Sequence, residues 1–353
     1  MVILLHDAAE ARHDRPPLRS GGGGREADGG GSPGLPIRPF PANTPRMLKR
    51  LIPALALIAA CQSAPAEMLA PEALEPASWR EVDPENLVIL ELLTGDVIIE
   101  LAPEAAPAHV AQVKRAIREG VYDGEYFYRV VENHVAQAGL EFDEPLADWP
   151  GLPFEAERSV SAEGFDPLGN ADLFAPLAGH RNGFAAGREG DQEWLLNCTG
   201  ALGMARDEAP DTGSLDFFIP IAPRRYLDRN YTVFGRVIAG MEHINRLKRV
   251  DPVEPEDVPP FFDPETEEDA FKARGIRLTG NSILSMEIAA DMPEDRRPRW
   301  EVMTTPGPEW EALKAAKRDY SAISAFVVTP PHVIDICSLP TPARLTSVQN
   351  DAD

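Results

Sequence analysis

Apolar positions along the chain fall into short runs with two different periods. Residues 87–93 and 97–101 are apolar, β-prone runs separated by Thr94, Gly95 and Asp96, a pattern that predicts a hairpin. Pro107 opens a segment with Val110, Val113 and Ile117 on one helical face. Gly120 follows as a stop signal, so a helix is predicted over 107–119. Short strands are predicted at 127–131, 217–221 and 232–237. Residues 240–249 predict a second helix, with Met241, Ile244 and Leu247 as its buried stripe. Residues 282–290 are strand-like, 309–318 fit a short helix, and 333–338 are apolar again. Few helices among many short strands indicate a β-barrel or sandwich, not an alternating α/β sheet. Residues 143–197 are punctuated by Gly, Pro, Asp and Glu with no period, and predict long loops carried on the strands. Residues 251–275 are acidic and proline-rich and predict a second excursion.

The first part of the chain has another character. Residues 1–46 hold eight Gly and seven Pro, a composition that cannot bury enough apolar surface to offset chain entropy. From Met47 the sequence becomes MLKRLIPALALIAAC. Lys49 and Arg50 precede an apolar run over 51–60, too short for a bilayer span of about 20 residues but suited to the apolar region of a signal peptide. The run ends Ile58-Ala59-Ala60-Cys61, which resembles the bacterial lipoprotein box, with Cys61 as the acylated residue. Cleavage after Ala64-Pro65-Ala66, giving simple secretion, is the rival, and a buried apolar helix is the third reading of the run. A signal beginning at Met47 implies that 1–46 is either a wrongly assigned start or a disordered tail. Residues 61–85, rich in Ala, Pro and Glu, then read as a tether.

Composition narrows the choice of function. The chain has 353 residues, 34 basic against 57 acidic, for a formal charge of -23. Its leader carries eight Lys and Arg against five Asp and Glu, so its removal makes the remainder more acidic still. Neither nucleic acid nor an anionic membrane surface is an expected partner, because both need a basic face. The three cysteines, Cys61, Cys198 and Cys337, form no CxxC pair, which excludes zinc ribbons and thioredoxin-type motifs. If Cys61 is acylated, Cys198 and Cys337 remain as a candidate disulfide in an oxidising compartment, joining the C-terminal extension to the barrel. Two unpaired thiols are the alternative. His134 has no partner at ligand spacing, and the acidic pairs in 141–147 and 254–269 lack the DxDxDG pattern, so no metal is expected.

Three segments carry the chemistry: GVYDGEYFYRVVENHVAQAG from Gly120, GALGMARDEAPDTGSLDFFI from Gly200, and YLDRNYTVFGRVIAGM from Tyr226. In this order they resemble the cyclophilin-type peptidyl-prolyl cis-trans isomerases, over roughly 86–250 plus a closing strand near 282–290. The resemblance implies a mainly β fold, a closed antiparallel barrel of about eight strands with two flanking helices, over 86–290. It carries insertions at 143–197 and 251–275, and residues 291–353 form a C-terminal extension. It implies Arg129 as the catalytic arginine, Phe218 as the aromatic floor of a proline pocket, and Val135 and Leu227 as walls. Gln137 matches the glutamine that holds the arginine and the substrate backbone. Met204 and Ala205 match the stretch that pairs with an extended peptide. Phe127, His134, Asp216 and Tyr231 complete the expected substrate-binding set. Such an enzyme uses no cofactor.

Those residue types suit the reaction. Rotation about a peptide bond meets a barrier of ~18–20 kcal/mol because of C–N double-bond character. X-Pro bonds have a substantial cis population but interconvert slowly. A catalyst needs an apolar socket for the ring and a cation near the amide nitrogen, which it stabilises in its deconjugated form only in the transition state. Arginine stays charged and is rigid.

Several positions depart from the family pattern. Tyr128 replaces a histidine, His134 an aromatic wall, Val135 a methionine, Asp216 a glutamine, and Arg206 a polar residue of the peptide-pairing strand. Tyr226 stands for a tryptophan and Tyr231 for a histidine. Asp216 raises three alternatives: a bidentate pair that holds Arg129 away from the substrate, a contact that pre-orients Arg129, or a pair with Arg206. The pattern predicts a retained proline pocket with reduced or altered turnover. The expected activity is isomerisation of X-Pro bonds in unfolded or extended proteins, at the envelope of an exporting cell. A catalytically weak peptide-binding module or chaperone, and a scaffold lipoprotein working through its loops and extension, remain as alternatives.

Overall fold

The computed structural model describes residues 78–140, 148–250, 280–321 and 323–347. Along the chain, β1 (Trp79–Glu81) is followed by the hairpin β2 (Leu87–Leu92) and β3 (Gly95–Leu101), helix α1 (Pro107–Arg118), and strands β4 (Tyr126–Val130) and β5 (Val135–Gly139). Next come β6 (Arg158–Ser159), β7 (Phe165–Pro167), β8 (Leu177–Arg181), β9 (Phe184–Glu189) and β10 (Gln192–Leu195). Strands β11 (Ala201–Met204), β12 (Phe217–Pro220) and β13 (Val233–Ala239) lead to helix α2 (Met241–Asn245) and strand β14 (Ile283–Ile288). The chain finishes with β15 (Arg299–Met303), helix α3 (Pro308–Arg318) and β16 (Ala343–Ser347).

Eight strands form one antiparallel sheet in the order β14-β2-β3-β13-β11-β12-β5-β4. Its two ends approach each other: Phe127 N–H donates to Asn281 O at 2.9 Å and Ile283 N–H to Glu125 O at 2.8 Å, which nearly closes a barrel. Alternation aims one set of side chains inward. Val88, Leu90, Val97, Ile99, Leu202, Phe217, Ile219 and Phe234 fill the interior together with Val110, Val113 and Ile117 of α1. The hairpin turn falls at 93–94, with Gly95 and Asp96 already paired in β3, one residue earlier than the sequence suggests. The second helix is shorter than expected. It covers only Met241–Asn245, although Ile244 and Leu247 are buried as the pattern predicts.

The largest correction concerns the stretch expected to form loops. Residues 158–195 build a five-stranded antiparallel sheet in the order β6-β10-β9-β8-β7. Its strands are short and carry Gly, Ala and buried charge, so no period-2 apolar signal is written in them. Residues 78–85, which composition assigns to the tether, also carry structure. Strand β1 pairs with β15, which pairs with β16, as a three-stranded sheet. A second core forms where these segments meet: Trp79, Leu168, Trp194, Met303, Trp310 and Ile336 pack together from three distant parts of the sequence. Cys198 and Cys337 are joined by a disulfide, with their Cα atoms 4.9 Å apart, beside this core. The expected lipidation residue Cys61, the leader, the tether up to residue 77 and the excursion at 251–275 lie outside the described residues.

Candidate active site on the outer face of the barrel

Four neighbouring strands bring one row of residues to the outer face. Arg129 of β4 is paired with Gln137 of β5, Gln137 with Phe218 of β12, and Phe218 with Gly203 of β11. Directly opposed residues project to the same side of a sheet, so cation, amide and aromatic ring stand in line. Strand spacing of about 4.8 Å sets Arg129 and Phe218 two strands, or about 10 Å, apart. The bulge between Tyr126 and Arg129 in β4 explains how two consecutive side chains, Tyr128 and Arg129, leave the interior while Phe127 and Val130 enter it.

Phe218 is the centre of a small apolar cluster separate from the barrel interior. Val135, Ala205, Leu227 and Tyr231 pack with it, and all five are buried. Tyr231 stands edge-on to Phe218, with centroids 5.5 Å apart and rings at 90°. Gly203 makes this possible. A Cβ there would overlap the Phe218 ring at Cζ, so only glycine lets the ring settle onto the strand.

Two tyrosines border the cluster. Burial pushes the Tyr231 phenol above its usual range, opposed by the charges of Arg206 and Arg129. Burial also raises Tyr226, opposed by Arg224 and Arg129. The Arg206 guanidinium lies 4.8 Å from the Tyr231 ring centroid and donates to the carbonyl oxygens of Asn230, Asp207 and Glu208. His134 is buried beside the half-exposed Tyr226. Their rings are stacked at 6.5 Å and 10°, and Nδ1 lies 3.4 Å from the Tyr226 hydroxyl.

Asp216 has its own partners. Its Oδ1 accepts from Leu140 N–H at 2.8 Å and its Oδ2 from the Tyr128 hydroxyl at 2.7 Å. Tyr128 in turn accepts from Gln137 Nε2 at 2.5 Å. Gly139, at φ +149°, leaves the space the carboxylate fills, since a Cβ there would overlap Oδ1.

The expected site residues separate by the side of the sheet they face. Arg129, Gln137, Phe218, Val135, Ala205, Leu227 and Tyr231 gather on the outer face, with His134 at its rim and Asp216 behind Tyr128. Phe127 and Met204 do not. Both side chains pack in the barrel interior, because alternation and the β4 bulge turn them inward, which corrects their assignment as substrate contacts. The Ala205 N–H donates to Asp216 O at 2.8 Å.

The insertion supports the site from outside. The turn Arg225–Leu227 carries Tyr226 and Leu227. Arg225 bonds to Asp228 at 2.5 Å and to Asp172, on the β7–β8 connection, at 2.9 and 3.0 Å. Asn197 N–H donates to Asp228 Oδ1 at 2.8 Å. A cavity of about 110 Å³ lies elsewhere, beside the disulfide, with Phe184, Arg236 and Leu339 in its lining, and shares none of its lining residues with the row.

The antiparallel barrel thus carries cation, amide and aromatic ring in one cross-strand row. The family model for cyclophilin type peptidyl-prolyl cis-trans isomerases matches residues 87–262. A probable peptidyl-prolyl cis-trans isomerase of Brucella suis is 35% identical over 167 residues, covering 47% of this chain and 74% of that protein. The human peptidyl-prolyl cis-trans isomerase-like 1 is 29% identical over 181 residues, covering 51% of this chain and 87% of that protein. Among solved structures, the cyclophilin AquaCyp293 from Hirschia baltica aligns with a TM-score of 0.60 and 28% identity, over 78% of this chain and 97% of that one. The chain belongs to the cyclophilin-type peptidyl-prolyl cis-trans isomerase family. The likeness to the Hirschia baltica protein extends past the residues the family model matches, so it includes more than the barrel.

Proposed function

We propose that Arg129 assists rotation of X-Pro bonds whose proline ring rests on Phe218, between Val135, Leu227 and Tyr231. The observation that carries this reading is the cross-strand row Arg129–Gln137–Phe218–Gly203. It sets a permanent cation at a fixed distance from an apolar floor. A hydrogen bond from the guanidinium to the proline nitrogen favours the pyramidal nitrogen of the twisted amide and is gained only there, so it lowers the barrier and not merely the ground state. No bond to carbon forms or breaks, and neither nucleophile nor metal is required. Proline-containing extended polypeptides are the substrates.

The same reading places the enzyme outside the cytoplasm, attached through a lipid on Cys61. The Lys49-Arg50 start, the apolar run and the Ala59-Ala60-Cys61 ending support it, as does the Cys198–Cys337 disulfide, a bond that persists in oxidising compartments. Membrane association unchanged by Cys61→Ser would remove the anchor from this picture. A protease-coupled isomerisation assay on a proline peptide tests the chemistry. Loss of one preorganised donor costs about 10²–10³ in rate, so Arg129→Ala is expected to fall by about that factor. A variant as fast as the wild type would leave the fold with a different catalytic group.

A further inference from the structure

Gln137 of the row and two polar side chains behind it form a directed chain: Gln137 Nε2 to the Tyr128 hydroxyl, and the Tyr128 hydroxyl to Asp216. A phenol has one proton to give, and an ionised carboxylate only accepts. With its proton committed to Asp216, the Tyr128 oxygen can meet Gln137 only as an acceptor. The Gln137 amide must then turn its NH₂ toward Tyr128. Its carbonyl Oε1 is left as the remaining acceptor, buried and with no hydrogen-bond partner among the described residues. Asp216 is itself pinned by Leu140 N–H and by the space Gly139 provides, so the far end of the chain is fixed.

We propose that Tyr128 is a positioning residue that transmits the charge of Asp216 to Gln137, so that Gln137 meets the groove as a hydrogen-bond acceptor. The donors it serves are the guanidinium of Arg129, its cross-strand neighbour, and a backbone N–H of the client beside the proline. Through Tyr128 and Gln137, Asp216 bears on the order of the face that carries Arg129. A partnerless amide can flip between two orientations, and the relay removes that freedom. This inference rests on the reading of Arg129 and Phe218 as the site, and it assigns a role to a residue that the family pattern would fill with histidine.

The test combines kinetics with a spectroscopic readout on the full chain. Side-chain ¹⁵N–¹H correlation spectra, with the Gln137 signal identified by its absence in Gln137→Leu, are expected to show slowly exchanging amide protons. Tyr128→Phe is expected to shift that signal, speed its exchange, and lower kcat about tenfold, about 1.4 kcal/mol, with KM within about twofold and the melting temperature unchanged. Asp216→Ala should act in the same direction, and the double variant should be no slower than the slower single, because one relay is broken once. Additive losses, or a Gln137 signal and a kcat that ignore Tyr128→Phe, would overturn the relay. If Arg129→Ala keeps full activity, the site reading fails by itself, and the Gln137 signal in Tyr128→Phe still decides whether the relay exists.

Discussion

The outer face of the barrel and the sheet inserted over 158–195 both bury arginine, but they do so for different ends. In the insertion, Glu193 is almost wholly buried and receives Arg181 at 2.6 Å, Arg188 at 3.2 Å and Arg158 at 3.3 Å. A buried carboxylate surrounded in this way ties four strands together. On the barrel face, Arg129 is paired across the strands with Gln137, a neutral amide, and Asp216 accepts from a phenol and a backbone N–H. The first arrangement directs arginine charge inward to a carboxylate. The second sets an arginine in cross-strand register with an amide that is itself paired with Phe218 of the apolar cluster. Buried arginine alone therefore says little about function; what the sheet places opposite it decides.

If this contrast holds, variants in the insertion should lower stability and leave turnover intact, and variants in the row should do the reverse. The largest effect is expected for Glu193→Ala. It leaves Arg181 and Arg188 buried without their carboxylate, a loss of about 3–5 kcal/mol, read by denaturant unfolding. The kcat of the folded fraction should be unchanged. Next comes the disulfide. It closes a loop with a sequence separation of 139. Replacing Cys198 and Cys337 by serine together should cost about 2–4 kcal/mol, seen as a lower melting temperature with the barrel still folded. Gly203→Ala sharpens the other half of the comparison. Its Cβ meets Phe218, so the floor must move, and misplacement of this kind costs about 10² in kcat/KM in an isomerisation assay, with only a small loss of stability.

The most gradual effect is a pH dependence centred on the second core. His180 is buried edge-on to Trp310 and its Nε2 lies 3.1 Å from Leu339 O. Burial lowers its pKa to about 4, with Leu339 O and Asp166 opposing and Arg236 and Lys314 assisting. A histidine depressed in the folded state is stabilising above its unfolded value of 6.5, and that stability drains away as pH falls toward 4. The slope is about 1.4 kcal/mol per pH unit inside that window. His109, lowered by burial against the opposing pull of Glu155, acts with the same sign. Denaturant curves between pH 7 and pH 4 should show the loss, and His180→Gln should flatten most of it.

The two regions also differ in how far the sequence discloses them. The barrel strands carry plain apolar runs, as in Leu87–Leu92 and Phe217–Pro220, and α1 repeats every three to four residues. The barrel is therefore legible directly, whereas Phe218, Leu227 and Val135 read as plain core by themselves and as pocket residues only through the family resemblance. The inserted sheet is not. Strands such as QEWL and LAGHR hide their alternation, because Glu193, His180 and Arg181 are buried polar residues and Gly179 has no side chain. Their apolar partners, Trp79 and Trp310, lie far away in sequence, and no local pattern announces that meeting. Phe127 and Met204 are misplaced for a narrower reason, since a bulge and a strand parity decide which way each side chain turns. Gly203 does leave a signal, a glycine inside an apolar strand, which marks close approach by another group. Tyr128 is visible as a departure, but its role depends on a hydrogen bond to Asp216, 88 positions away in sequence.

Whether the outward row is the catalytic face is decided by the protease-coupled isomerisation rate of Arg129→Ala beside the wild type at equal folded concentration. We expect clear acceleration by the wild type and a loss of about 10²–10³ in the variant, with an unchanged melting temperature. Equal rates for the two proteins, or a variant that loses activity only because it unfolds, would contradict that assignment.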